Sequence, residues 1–376
     1  MIKYTEEVMF VKKKLKNLIP IFIGAILGVC AGFLGADFFA DSYSGKDLAM
    51  IFVAIVAVYY IHVIIHEAGH LVFGLLSGYQ FVSFRIGSLT LYKAQGQWKW
   101  GRYKLAGTGG QCLMAPPELV NGSIPYRLFN LGGSLMNLIF VLPVFVLVLS
   151  GNLDRYLKMF GLMWCLVGMI AAAMNGIPMS VGAVDNDGKN ALNLGKDPKA
   201  LYSFWLQLKI NQMQMEGKTI LEMPESWFVR PSEEEMSNPM TAVRAALHCN
   251  YLMELKSYSE TSKVIGEVLR EATGLLPVHA MLLRVDQIFC EIMSDRNEVV
   301  LKYMEDKGLQ KFMKAMQNYP AVIRTEYAYA LCIQEDEKKA KRLKDRFEKV
   351  MKYHPNQAEI RTEIGFISDI ENTELS

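Results

Sequence analysis

The sequence predicts an all-α polytopic membrane protein with four transmembrane helices and a small β-element, followed by an α-helical cytosolic domain. Two observations lead to this fold class. Apolar residues make up 51% of the 376 residues, and before residue 185 they form four long stretches that carry almost no charge. From about residue 190 onward, apolar residues instead recur every three or four positions among many charged ones, which is typical of helices in an aqueous compartment.

A helix needs about 20 apolar residues to cross the hydrocarbon core of a bilayer, which is about 30 Å thick. Four segments meet this length, and we predict spans at about residues 18–39, 48–76, 128–150 and 157–180. These spans define a membrane-embedded domain over residues 18–190. A basic cytoplasmic arm precedes it at 1–17, and a helical cytosolic domain follows at 191–376.

The distribution of basic residues predicts how the chain is oriented. Lysine and arginine are concentrated in the N-terminal arm and in the loop over residues 77–127, whereas the loops near residues 40–47 and 151–158 carry few. Because basic loops favour the cytoplasmic side, both termini and the 77–127 loop are predicted to be cytoplasmic. We therefore expect a multi-pass protein of a cell membrane, of bacterial origin. Alternating apolar and polar residues within the 77–127 loop predict short β-strands.

The helical domain has prolines near several predicted helix starts, at Pro239, Pro277, Pro320 and Pro355. Their recurrence loosely resembles tetratricopeptide-like helical hairpin repeats, which have a period of about 34 residues. No repeat signature is intact, so a plain all-α domain and a repeat domain both stay open. We expect this domain to bind a protein partner, and we expect no nucleic acid.

The second span contains the motif HEAGH at residues 66–70. On a helix, His66 and His70 lie on one face and can bind one metal ion. Glu67 is displaced by about 100° around the helix, where it can reach a metal-bound water without being a ligand. Zinc lowers the pKa of such a water to about 7, and a carboxylate can accept its proton. Because these side chains are costly in an apolar span unless they have partners, the motif favours a zinc site over simple polar contacts between helices.

Catalytic zinc usually has three protein ligands, so a third ligand is expected. The end of the fourth span carries Asn175 and Pro178, followed by Asp187 and Gly188. An HExxH motif in one span with this Asn-x-x-Pro and Asp-Gly segment after a later span resembles the site-2 protease family of intramembrane zinc metalloproteases. The resemblance implies Zn²⁺ as the cofactor and Asp187 as its third ligand.

Two features depart from the family pattern. The spacer between Pro178 and Asp187 is longer than usual, and a second acid, Asp185, stands nearby. Asp187 is preferred because Gly188 follows it, and we expect this glycine to adopt unusual backbone angles that turn the chain just after the ligand. Asp185 is the alternative third ligand.

The third span contains a glycine-rich segment that ends in Asn137, and it resembles the middle core helix of site-2 proteases. Asn137 and Asn175 are candidate substrate-binding residues. Contacts between packed helices explain both equally well. For His62, one turn before His66, a packed histidine is preferred over a partner of the metal ligand.

Together these features predict an intramembrane zinc metalloprotease that hydrolyses peptide bonds of transmembrane or signal-peptide-like substrates, with Glu67 as the catalytic base. The expected partners are the lipid bilayer and a membrane-embedded peptide or single-span protein, unwound by pairing with strands of the 77–127 loop. The alternative is a non-proteolytic, zinc-containing membrane accessory or immunity factor for peptide export. The presence of Glu67 argues against it, because a structural zinc site needs no base. A zinc transporter is disfavoured, because the acids and histidines are concentrated at one place instead of following several spans.

Overall fold

A computed structural model of the chain describes residues 44–94, 96–103, 108–181 and 184–374. The predicted arm at 1–17 and the predicted first span at 18–39 lie outside the described residues. The described chain is mostly helical and separates into two compact units. The apolar unit comprises the described residues up to Gly87 and from Thr108 to Asp197. The helical unit comprises those numbered between 88 and 107 and those from Pro198 onward.

Within the described residues, three helices of the apolar unit are long and apolar enough to cross a membrane. They are α1 (Gly45–Leu76), α2 (Tyr126–Leu149) and α3 (Arg155–Gly176). Ser44 caps the N-terminus of α1, and Asp154 caps that of α3, so polar side chains satisfy the first backbone N–H groups of each helix. The last three predicted spans therefore correspond to helices, and the total of four spans stays a prediction.

Small residues allow the three long helices to approach one another closely. Gly69 of α1 and Gly132 of α2 cross with their backbones in contact, because a Cβ added to Gly132 would lie 2.6 Å from the Gly69 carbonyl oxygen. On α3, a Cβ added to Gly168 would overlap the His62 ring. Close approach at small residues is the usual way in which helices associate in lipid.

Four strands lie between α1 and α2: β1 (Gln80–Ile86), β2 (Leu89–Ala94), β3 (Gln97–Arg102) and β4 (Gly110–Ala115). In the apolar unit, β1 pairs antiparallel with β4, from Gln80 opposite Ala115 to Ile86 opposite Gly110. Strands β2 and β3 form an antiparallel hairpin that belongs to the helical unit. The predicted small β-element is thus confirmed, although its strands are divided between the two units.

The apolar unit ends in a small polar structure beyond α3. Strands β5 (Ser180–Val181) and β6 (Val184–Asp185) pair antiparallel, and the short helix α4 (Asp187–Asn193) follows them.

The helical unit contains nine further α-helices among its described residues: α5 (Pro198–Met215), α6 (Pro239–Glu254), α7 (Tyr258–Glu271), α8 (Pro277–Ile292), α9 (Asn297–Met304), α10 (Lys307–Ala315), α11 (Pro320–Ala328), α12 (Glu337–Met351) and α13 (Gln357–Glu374). Pro239, Pro277 and Pro320 are the first residues of their helices, where the missing N–H of proline costs nothing. Pro355 instead precedes α13 by two residues. Buried side chains such as Phe289 form one large apolar core. The helical character of this part of the chain is confirmed, and tetratricopeptide repeats stay an interpretation.

The β2–β3 hairpin is fixed to the segment between α12 and α13. The Arg102 N–H donates to the Tyr353 carbonyl oxygen at 2.7 Å. The ring of Tyr103 meets that of His354 edge to face, with 5.1 Å between ring centroids. At Gly101 a Cβ would lie 2.9 Å from the same Tyr353 oxygen, so glycine is needed for this close contact.

The crossing of α1 and α2 yields a first prediction. We expect Gly132→Ala to lower the free energy of unfolding by about 1–3 kcal/mol, because the added methyl group overpacks the contact with Gly69. Thermal unfolding of the purified protein in detergent would show this as a lower midpoint. Gly45→Ala is the control, since nothing lies within 4 Å of a Cβ at that position. Equal midpoints for the two variants would contradict the close crossing.

Candidate metal centre

Three potential ligand atoms converge where α1 meets the start of α4. The Nε2 atoms of His66 and His70 lie 3.2 Å apart. Oδ2 of Asp187 lies 3.2 Å from the first nitrogen and 3.3 Å from the second. Within the described ranges, this is the one cluster of histidine, cysteine or acidic side chains with the geometry to hold a metal ion.

With His70 neutral, hydrogen bonds do not account for this triangle of atoms. His70 Nδ1 lies 2.8 Å from the Phe129 carbonyl oxygen, which can only accept a hydrogen bond. In the neutral ring the proton is therefore on Nδ1, and Nε2 directs a lone pair at the carboxylate oxygen of Asp187. Two lone pairs facing each other at hydrogen-bonding distance repel, whereas a cation between them attracts both.

The dimensions of the triangle fit zinc. Zn–N bonds of about 2.0–2.1 Å at a tetrahedral angle place two ligand atoms about 3.3 Å apart. All three sides of the observed triangle agree with this value. Two imidazoles and one carboxylate also form a ligand set of catalytic zinc sites, in which the fourth position is left for water or substrate.

Asn186 positions Asp187, and the sequence analysis missed it. Its amide oxygen accepts hydrogen bonds from the N–H groups of Lys189 and Met179, and its amide nitrogen donates to the carbonyl oxygens of Met174 and Ile177. One side chain thus ties the end of α3 to the start of α4. A signal was present in the sequence, because asparagine just before a short helix is a preferred cap.

The long spacer before Asp187 folds back on itself. The Asn186 N–H donates to the Met179 carbonyl oxygen at 3.0 Å, and between them β5 and β6 pair antiparallel. The chain therefore returns to the place where it left α3, and the extra residues do not lengthen the path to the ligand.

The expectation for the backbone of Gly188 was wrong. Gly188 lies within α4 and is not among the glycines with positive φ. Glycine is needed there for a different reason, since a Cβ would overlap the carbonyl group of Gly176. The absence of a side chain lets α4 lie directly against the end of α3.

The alternative acid, Asp185, is engaged elsewhere. Its Oδ1 accepts hydrogen bonds from Lys189 Nζ at 2.6 Å and from Ser180 Oγ at 2.8 Å, within the small hairpin. Of the two candidate acids, it is therefore Asp187 that lies against both histidines.

Glu67 does not join the triangle and instead faces strand β4. Its carboxylate accepts a hydrogen bond from the Cys112 N–H. It also interacts electrostatically with His66, His70 and Asp187. A Cβ at Gly110 would lie 2.8 Å from Glu67 Oε1, so glycine leaves the space that this side chain occupies. Burial, together with the charge of Glu67, raises the pKa of the Cys112 thiol to about 12, and Cys112 is therefore not a thiolate at neutral pH.

Asn137 is fully buried between two histidines of α1. Its Oδ1 lies 3.0 Å from His62 Nδ1, and its Nδ2 lies 3.5 Å from His66 Nδ1. A histidine that binds metal through Nε2 carries its proton on Nδ1 and needs a hydrogen-bond acceptor there. The Nδ2 group of Asn137 can only donate, so with metal bound the amide would be turned by 180°, with its oxygen toward His66 and its nitrogen toward His62. His62 is accordingly both a packed histidine and the neighbour of the amide that faces His66.

The other residues of the predicted site make contacts within and between helices. Asn175 donates to the Ala171 carbonyl oxygen at 3.0 Å, one turn earlier in its own helix. In the glycine-rich segment of α2, a Cβ at Gly133 would overlap the ring of His66. Gly133 thus makes room for the histidine, and for Asn175 the contacts favour packing over substrate binding.

Comparison with known protein families gives one match. The model of peptidase family M50 matches residues 53–351. This range includes the three residues of the triangle and most of the helical unit. No curated protein and no solved structure matches the chain.

The geometry predicts how the two acids differ. Asp187→Asn should strongly reduce zinc binding, because it replaces an anionic oxygen with a neutral amide. Asp185→Asn should retain zinc, because its partners are Lys189 and Ser180. Zinc stoichiometry of the two purified variants, measured by elemental analysis, decides between them. Zinc lost from Asp185→Asn and kept by Asp187→Asn would reverse the assignment, and zinc kept by both would place the third ligand elsewhere.

Proposed function

The chain belongs to peptidase family M50, whose members are zinc metalloproteases of membranes, and we propose that it cleaves peptide bonds inside the membrane in transmembrane or signal-peptide-like segments. The observation that carries this proposal is the convergence of His66, His70 and Asp187, with a glutamate that stays outside the ligand set. A purely structural zinc site would use a fourth protein ligand and would need no such base. This argues against a non-proteolytic accessory or immunity factor for peptide export.

In the proposed mechanism, His66, His70 and Asp187 hold the zinc and Glu67 is the general base. Zinc at this place would supply Lewis-acid chemistry, lowering the pKa of a coordinated water to about 7 and polarising the peptide carbonyl. The carboxylate of Glu67 accepts the proton of the attacking water and delivers it to the departing amide nitrogen. The hydrogen bond from His70 Nδ1 to the Phe129 carbonyl oxygen orients the imidazole ring and leaves Nε2 free to bind metal.

Asn137 is better suited to orient a ligand than to hold substrate. Both ends of its amide already face the imidazoles of His62 and His66. We therefore propose that it fixes the ring of His66, and that the substrate backbone is held elsewhere.

Strand β4 is the proposed substrate-holding element. A transmembrane helix hides its peptide bonds in its own hydrogen bonds, so a substrate must unwind before cleavage. Among the described strands, β4 pairs only with β1, and the Cys112 N–H on its other side points to Glu67. A substrate segment added as a strand along this edge would lie beside the general base.

Removing the base gives the most direct test. Glu67→Gln should keep zinc bound, because both imidazoles and Asp187 remain. It should lower cleavage of a model membrane peptide by about 100- to 10,000-fold, since the proton acceptor is lost. Cleavage by purified protein in detergent and its zinc content are measured together. Glu225→Gln, at an exposed position of the helical unit, is the matched control. Native activity in Glu67→Gln would refute the proposed mechanism.

The proposed localisation is a cell membrane, with both termini and the 77–127 loop in the cytoplasm. In a cysteine-free version, Ser44→Cys and Asn152→Cys should react with a membrane-impermeant maleimide added outside cells, and Lys99→Cys should react only after lysis. This pattern is expected because basic residues are concentrated in the arm and in the 77–127 loop, and basic segments favour the cytoplasmic side. The reverse labelling pattern would overturn this orientation.

A further inference from the structure

The helical unit contains a cavity of about 350 Å³ between helices α5, α6, α8, α11 and α13. Sites for small organic ligands begin at about 300 Å³. Part of the wall is apolar, with side chains such as Ile220, Leu247 and Leu282. The rest is strongly polar.

Carboxyl groups outnumber cationic groups in the lining. Four acids line the cavity, namely Glu254, Asp286, Glu359 and Glu363. Arg324 is the one arginine or lysine among the lining residues, which also include His279 and Tyr319. Burial lowers the pKa of His279, so this imidazole adds no positive charge at neutral pH.

Arg324 is already engaged in two ion pairs. Its guanidinium donates to Asp286 at 2.5 Å and to Glu363 Oε1 at 2.7 Å, and the side chain is only 1% exposed. The same group stacks over the rings of Phe289 and Phe366, at 4.5 and 5.0 Å from their centroids. It is therefore held in place and cannot turn to the remaining carboxylates.

Two carboxylate groups on α13 line the cavity one turn apart, and one of them has an acceptor atom without a partner. Glu363 is 6% exposed, and its Oε2 has no hydrogen-bond partner. Glu359 lies one helical turn earlier, with its side chain 25% exposed, and its Oε2 lies 3.7 Å from Nε2 of His354. Burial lowers the pKa of His354 to about 4, so that ring is neutral at pH 7. Glu254, by contrast, accepts a hydrogen bond from Thr362.

A cation between Glu359 and Glu363 would be favourable electrostatically. Burial raises the pKa of Glu359 to about 7, and it also raises the pKa of Glu363 in spite of Arg324. Two carboxylates one turn apart on a helix repel each other when both are ionised. A positive charge placed between them would stabilise the ionised form of both.

We propose that this cavity binds an organic cation, with a guanidinium or ammonium group between Glu359 and Glu363 and an aliphatic stem against the apolar wall. A lysine or arginine side chain of a peptide and a free polyamine share this chemistry. The helical unit would then be a receptor for a basic ligand, independent of the chemistry at the metal centre.

The test uses the full-length protein in detergent and calorimetric titration with N-acetyl-argininamide. Its neutral isostere, N-acetyl-citrullinamide, has nearly the same shape and no charge. We expect the first to bind and the second to bind at least about tenfold more weakly, because hydrogen bonds to charged groups are the stronger ones. Capped Ala-Arg-Ala and spermidine are titrated in parallel. The probe that binds more tightly shows whether the cation comes from a peptide side chain or from a free polyamine.

Charge-neutralising variants locate the site. Glu359→Gln and Glu363→Gln should each weaken binding about tenfold or more. Glu348→Gln, which removes an exposed carboxylate outside the cavity, should bind as the native protein does. Glu359→Gln should remain folded, because a neutral amide is cheaper to bury than an unpaired carboxylate. Circular dichroism and peptide cleavage monitor the fold.

The pH dependence gives a second readout. Because a cation prefers the ionised carboxylates, affinity should rise as the pH passes the pKa values of Glu359, about 7, and Glu363, about 8, and should level off above both. Three results would each overturn the proposal. They are equal binding of the charged and neutral amides, no saturation up to about 10 mM ligand, or unchanged affinity in both Glu359→Gln and Glu363→Gln.

Discussion

The close crossing of α1 and α2 at Gly69 and Gly132 is the constraint on which the metal centre depends. Gly69 is the direct neighbour of His70, so the distance between the helices at this point sets the surroundings of that imidazole. Contact between the backbones brings the Phe129 carbonyl within hydrogen-bonding distance of one histidine and Asn137 within reach of the other. If the helices separated, these polar groups would be left in an apolar environment without partners, which costs several kcal/mol for each group.

The third ligand is held by a different principle. Asp187 stands on a helix of only seven residues, too short to be stable alone. It is fixed by the four hydrogen bonds of Asn186 and by the contact of Gly188 with Gly176. The positions of His66 and His70 therefore depend on helix packing, whereas the position of Asp187 depends on the helix cap at Asn186. The length of the intervening loop matters little, because the small hairpin closes on itself.

These differences explain what could be predicted from the sequence. The spacing within HEAGH determines that two histidines share a helix face, and the Asp-Gly pair after a later span points to Asp187, the acid that lies against both of them. The partner of His62 could not be predicted, because it depends on how two helices are rotated against each other. Gly188 was selected for a wrong reason, since its close contact is with a residue on another helix. The role of Asn186 could have been predicted from local capping rules. The membership of β2 and β3 in the helical unit could not have been predicted, because it depends on contacts with residues far along the chain.

That distant contact has a consequence for biosynthesis. The hairpin of β2 and β3 leaves the ribosome before α2 and α3, whereas its backbone partner Tyr353 follows about 250 residues later. At roughly 5–20 residues per second, the hairpin waits about 12 to 50 s for that partner. During this interval its outer strand can pair with other chains, unless a chaperone or the lipid surface covers it. The hairpin therefore gains its backbone partner only after most of the helical unit has been synthesised, and a nascent chain interrupted before residue 353 would carry an open strand edge.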